Sequence, residues 1–228
     1  MSYKRYYSSL TKKFIMSLMG LFLITFLFVH LGLNLTVLSG LDQGEYPTFN
    51  EAAHFMATNP FIQVFQWVLF AGFIIHIIYG VILQFQNWTS RPKGYKVKGH
   101  AEENIFSQYM IYTGVVVLIF LVIHFVNFFM VAKGIVPGIE HVNIDGVEME
   151  NLGKLIVDLF HNGNYVIFYV IALLLLGFHL DHGFQSAFQS LGLQNKKYGP
   201  FIKGLSHVVA IVLTVGFIII PLVIYFTK

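Results

Sequence analysis

FIMSLMGLFLITFLFVHLGLNLTVL, residues 14–38, carries no charged side chain and a single histidine, His30. A helix needs about 20 apolar residues, at roughly 1.5 Å each, to cross about 30 Å of hydrocarbon, and this stretch exceeds that length. Four further stretches read the same way, at 61–86, 106–132, 164–189 and 202–226. The composition agrees: of 228 residues 56% are hydrophobic and 11% charged, with a mean hydropathy of +0.69. That excludes an ordinary soluble domain. The expected fold is all-α, an integral membrane bundle of five transmembrane helices forming one domain over 1–228. No extramembrane segment is large enough to carry out catalysis alone. The first stretch is too long for a signal-peptide h-region and lacks a small-residue cleavage site, so it is expected to be retained.

Basic residues set the expected orientation. Lys4, Arg5, Lys12 and Lys13 precede the first span, Arg91, Lys93, Lys96 and Lys98 follow the second, and Lys196, Lys197 and Lys203 separate the fourth from the fifth. Only Lys133, Lys154 and Lys228 fall on the other side. The N-terminus is therefore expected in the cytoplasm and the C-terminus outside. Segments 39–60 and 133–163 become the external connections. The second holds Glu140, Asp145, Glu148, Glu150 and Asp158, with turn signals at Val136-Pro137-Gly138 and Asp145-Gly146. A net charge of +3 with its basic residues at helix ends is no nucleic-acid signal.

The first four spans each contain one well-placed histidine: His30, His76, His124 and His179. An intramembrane histidine is costly unless it faces a partner or a cofactor. His30 and His124 lie at one depth, eight residues or roughly 12 Å from the outer ends of their spans. His76 and His179 lie at another, ten residues or roughly 15 Å from the inner ends. Matched depths point to two bis-histidine haems, an outer one on His30 and His124 and an inner one on His76 and His179. Four of the five helices would then form a haem-binding bundle. Hydrogen-bonded interior histidines are the competing reading. Cysteine is absent, which excludes thiolate-ligated iron–sulfur clusters, thiolate-ligated haem and covalent c-type attachment, so the haems would be b-type. Two axial histidines leave no open position on the iron, and such a group passes electrons rather than binding oxygen. The second ring nitrogen of each ligand is expected to donate to a backbone carbonyl one turn away.

A repeat supports the pairing. Met16-x3-Gly20-x9-His30 recurs as Met110-x3-Gly114-x9-His124, with Phe26 and Phe120 in register. Gly80 follows His76 by four residues, and Gly183 follows His179 by four. Spans one–two and three–four read as two copies of a hairpin, related by a pseudo-two-fold axis along the membrane normal. Glycines beside the ligands leave room for a flat macrocycle, and close helix packing explains them equally. His182, three residues past His179, is the alternative fourth ligand or a partner for a propionate or water. Ser17, Arg91, Lys93 and Tyr95 are candidate donors to propionates of the inner haem, and Asn34 and Asn127 to those of the outer.

Other residues carry weaker signals. Asp181 is the one carboxylate well inside a span and sits about 200° around the helix from His179, away from that haem. It is expected to pair with a basic side chain, make a structural hydrogen bond or join a proton path. His207 is expected to pack near a headgroup. Residues 47–59, PTFNEAAHFMATN, look amphipathic. Glu51 and His54 on that segment are candidate groups for proton exchange with a quinone.

The ordered set of four histidines, Phe178-His179-x3-Gly183 and Asn87-x3-Arg91-Pro92 resembles the di-haem cytochrome b membrane subunit of succinate:quinone oxidoreductases. The likeness is to the single-chain, five-helix anchor of succinate dehydrogenases and quinol:fumarate reductases, and it covers nearly the whole chain. It implies a bacterial cytoplasmic membrane, an FAD-containing flavoprotein subunit, an iron–sulfur subunit and a quinone, with menaquinone favoured, and it admits a dimer of the whole complex. His30, His76, His124 and His179 carry over as ligands, and Glu51 is the nearest match to an acidic quinone-site residue. A proton-transfer glutamate found in some members two residues before the fourth ligand is replaced here by Gly177. The competing functions are a cytochrome b anchor for a hydrogenase or formate dehydrogenase, and a haem-free transporter or scaffold.

Overall fold

The computed structural model of the chain describes residues 9–90 and 110–227. Helix α1 (Ser9–Leu35) runs on into a 3-10 turn, Thr36–Gly40. A short helix α2 (Pro47–Thr58) precedes the long α3 (Pro60–Ser90). The Asn59-Pro60 junction separates them: Asn59 Oδ1 accepts from the Phe61 and Ile62 amides at 3.0 and 3.3 Å, and Pro60 occupies the first helical position, where no amide hydrogen is needed. Helix α4 (Met110–His124) passes directly into a π-helical turn, Phe125–Met130. A hairpin of β1 (His141–Ile144) and β2 (Val147–Glu150) follows, then α5 (Leu152–Phe160), α6 (Gly163–Ser190) and α7 (Gly199–Phe226).

Among the described residues, α1, α3, α4, α6 and α7 are long and apolar enough to cross a membrane. The chain is an all-α, multi-pass membrane bundle. Helix α1 starts before residue 14 because the turn carrying Lys12 and Lys13 stays helical beyond the apolar stretch. Residues 106–109 of the third expected span lie outside the described residues.

Helix α6 is the centre of the bundle. Val166, Tyr169, Leu173, Leu176, Leu180, Phe184 and Ala187 are all buried and recur every three or four residues, so one stripe of the helix faces the core. It packs against α7, α1 and α4, while α3 leans on α1 and meets α4 only sparsely. Small residues set the closest approaches. A side chain at Gly177 would collide with Thr214 Oγ1 on α7, and one at Gly216 would come within 2.6 Å of Leu31 on α1. In apolar surroundings this tight backbone packing replaces the hydrophobic drive between helices. The Thr214 side chain also fills the space where a Gly177 replacement would stand, so an acidic side chain there requires Thr214 to shift.

One end of the bundle is closed by α2, α5 and the hairpin. The turn signal at Asp145-Gly146 is a two-residue hairpin turn with φ of 50° and 84° at those residues. The 133–163 connection is thus far more regular than its turn signals imply: it contains two strands and a helix. Asn50, 1% exposed, ties the cap together. Its Nδ2 donates to Asn151 Oδ1 at 3.0 Å and its Oδ1 accepts from the Gly153 amide at 2.9 Å. Asn151 in turn caps α5 by accepting from the Lys154 amide. Tyr46 lies directly against Gly153, where any side chain would displace it. The opposite end carries the exposed Lys196, Lys197 and Lys203.

Candidate functional site

The four span histidines come from four helices, and the bundle brings them together as two ring pairs. His30 of α1 and His124 of α4 have ring centroids 5.7 Å apart at an interplanar angle of 90°. His76 of α3 and His179 of α6 have centroids 6.2 Å apart at 75°. These are the pairs expected from depth. All four rings are partly buried.

The repeat is visible in the contacts. Phe26 stacks on His30, centroids 5.2 Å apart and 21° from parallel; Phe120 stacks on His124 at 5.7 Å and 28°. A Cβ at Gly20 would stand 3.5 Å from His76 Cε1, and a Cβ at Gly114 would stand 3.5 Å from His179 Cε1. Each glycine of the Met-x3-Gly motif therefore abuts the histidine of its own hairpin's second helix. The glycines one turn past the histidines behave differently. Gly80 has open space where a side chain would go, and Gly183 faces Met110 Cε at 3.6 Å.

Three of the four Nδ1 atoms are met by side chains rather than by the backbone carbonyls the sequence leads one to expect. His179 Nδ1 lies 3.4 Å from Thr113 Oγ1, whose own proton goes to the Met110 carbonyl at 3.0 Å. Thr113 therefore accepts, and Nδ1 carries the hydrogen. His124 Nδ1 lies 3.2 Å from Tyr169 OH, and His30 Nδ1 lies 3.3 Å from Asn34 Nδ2, which also donates to the His30 carbonyl at 2.7 Å. His76 Nδ1 is buried without a hydrogen-bond partner, beside the Met16 main chain. Among the described residues no hydrogen bond engages Nε2 of any of the four.

In spacing both ring pairs fit a b-type haem; at His30 the Asn34 amide would have to turn away, because it donates to Nδ1 here and iron on Nε2 needs the hydrogen on Nδ1. A metal about 2 Å from each of two imidazole nitrogens sets the ring centres roughly 6 Å apart, as both pairs are. Among the described residues no three histidines or carboxylates converge as a self-sufficient metal site. Two protein ligands per iron suffice only where a macrocycle supplies the others.

The other candidates divide. His182 is partly buried on α6, but the ring facing His76 is that of His179. Ser17, 4% exposed, spends its hydroxyl proton on the Lys13 carbonyl at 2.8 Å. Asn127 donates to Tyr165 OH at 2.8 Å. Arg91, Lys93 and Tyr95 lie outside the described residues. Glu51 is exposed on α2, and His54, one turn further on, has a buried Nδ1 without a partner. Nearby in sequence, Gln63 anchors the end of α2 through the Met56 and Ala57 carbonyls and accepts from Lys133 Nζ at 3.3 Å.

His207 is not the simple packing residue expected. Its Nδ1 lies 2.8 Å from Asp181 Oδ1, and the same oxygen accepts from Ser206 Oγ at 2.8 Å and Gln185 Nε2 at 3.2 Å. Asp181 thus faces α7, away from the histidine pairs, and the 200° offset from His179 is the reason. Compared with known families, curated proteins and solved structures, the chain matches none.

Proposed function

We propose that this chain is the membrane-anchor cytochrome b subunit of a succinate:quinone oxidoreductase. His30 and His124 would hold an outer b haem, and His76 and His179 an inner one. The observation that carries the reading is the two pairs of facing imidazoles from four different helices, each pair at a separation that one metal held between the rings would give. When bound, each haem supplies reversible one-electron transfer. The chain's own residues hold the rings: Phe26 and Phe120 stack on the outer ligands, Gly20 and Gly114 admit the inner ones, and Thr113 takes the His179 Nδ1 hydrogen.

Dicarboxylate chemistry belongs to partners in this reading, an FAD-containing flavoprotein and an iron–sulfur subunit. The iron–sulfur subunit would dock at the basic end, on Gln194–Lys203, together with Arg91–His100, which lie outside the described residues. The setting is the bacterial cytoplasmic membrane with the basic end inside, by the excess of positive charge there. Quinone, menaquinone by resemblance, would bind near Glu51 and His54 at the capped end. The orphaned His54 Nδ1 is a polar group that a quinone oxygen could engage.

The test is a dithionite-reduced minus oxidised spectrum of the purified protein with pyridine-haemochrome quantification. Two low-spin b haems per chain are expected. A well-folded, natively expressed sample without haem would overturn the reading. Co-purification with succinate-dependent quinone reduction separates this assignment from another dehydrogenase anchor.

A further inference from the structure

The two hairpins give their outer histidines different neighbours. His30 has Asn34 one turn along its own helix. The corresponding position after His124 is Phe128, whose ring lies 5.1 Å from the imidazole and offers no hydrogen bond. His124 is met instead from α6, by the phenol of Tyr169 at 3.2 Å. Counted from His76 as Tyr169 is from His179, the matching residue of α3 is Gln66. The phenol contact is therefore peculiar to the second hairpin.

Tyr169 is tightly held. It is 4% exposed, and its ring meets Phe120 and Phe160 edge-on, each at 5.0 Å. Tyr165 OH donates to its oxygen at 3.1 Å, and Asn127 Nδ2 donates to Tyr165 OH at 2.8 Å. Asn127 lies in the π-helical turn just after His124. The chain of bonds leaves α4 at His124, passes through two phenols on α6 and returns to α4 at Asn127. The wide turn after His124 places both ends of this loop against α6; such turns recur at functional sites.

We infer that Tyr169 is a positioning residue that sets the tautomer of His124 and its electron donation to the outer haem, with Tyr165 and Asn127 holding the phenol in place. The inference rests on the haem reading above. If Nε2 binds iron, Nδ1 must carry the ring hydrogen. The only side-chain oxygen bonded to that nitrogen, among the described residues, is the Tyr169 hydroxyl. With iron on Nε2, the Tyr169 oxygen, which also receives the Tyr165 hydrogen, would accept from His124. Accepting this hydrogen makes the imidazole a stronger donor, which favours ferric iron and lowers the potential of that haem.

The experiment is a potentiometric titration of the two b haems in the purified holoprotein, wild type against Tyr169→Phe, with haem stoichiometry measured in parallel. The expected result is two haems retained, one midpoint potential raised and the other unchanged. The haem that moves should be the one missing from His30→Ala protein. Tyr165→Phe, which removes the donor that orients the phenol, should perturb the same haem, and serves if Tyr169→Phe does not accumulate. Both potentials unchanged in a variant with two haems would overturn the inference, as would a shift confined to the inner haem. Wild-type protein lacking haem would instead overturn the proposed function, so the two failures are distinct.

Discussion

At the residue scale, the choice between His179 and His182 turns on three residues of helix, a rotation of about 60°. The His76 ring and the Gly114 backbone both lie against His179. His179→Ala should therefore leave one haem per chain and His182→Ala should leave two, counted by pyridine haemochrome. Two haems retained in His179→Ala would transfer the ligand role to His182. The facing glycines give a graded version of this test. At Gly20 or Gly114 an added Cβ makes an ordinary 3.5 Å contact with the imidazole. Alanine should be tolerated at either position, whereas leucine should drive into the ring and cost the inner haem while sparing the outer one. Histidine spacing was legible in the sequence because residue type and depth are local facts. The Nδ1 partners were not, since Tyr169 and Thr113 approach from other helices and nothing in the linear order marks them.

Between elements, polar contacts decide what apolar matching leaves open. Asp181 links α6 to α7 through Ser206, which is fully buried, and His207. Asp181→Ala removes this link between the two helices, leaving Ser206 its bond to the Lys203 carbonyl at 2.8 Å, and should destabilise the bundle by roughly 1 kcal/mol. Thermal unfolding in detergent would reveal the loss, and haem content should be unchanged because the site faces away from both ring pairs. Asn50 plays the corresponding part at the capped end. Its replacement by alanine removes both bonds to α5 and should cost about 1–3 kcal/mol, seen as proteolytic opening of the 133–163 segment before global unfolding. Nearby, Glu140 and Asp158 hold the Lys154 ammonium at 3.0 Å each and raise its pKa above the ordinary lysine range. The stability this adds is present below the ordinary lysine value and fades as pH rises through the raised one, so neutral pH does not touch it.

For the whole molecule, the five spans found among the described residues would put the termini on opposite sides. The absence of cysteine makes this simple to measure. A single cysteine at Lys12 should be labelled by an impermeant maleimide from one face of sealed vesicles, and one at Asp145 only from the other. Labelling of both from the same face would overturn the five-span reading. The repeat also becomes a property of the whole at this scale. One stacked phenylalanine and one glycine contact recur with nearly the same geometry in each hairpin, and α7 lies outside the repeat, touching the outer pair through Phe217 at 5.9 Å from His30.

Long apolar runs determine membrane spans because transfer of the helix into hydrocarbon depends on local composition and length alone. For the same reason the five spans, their histidines and the depth-matched pairs could be read from the chain in order. The strands and helix of the 133–163 segment were under-read there, because short polar elements take their stability from the surface they cover. Only the tertiary structure decided that Gly177 is closed by Thr214, that Asp181 turns to His207, and that a phenol from α6 meets His124. Each of these depends on how far apart two helices stand and how they are rotated, and those are set jointly by every residue at the interface.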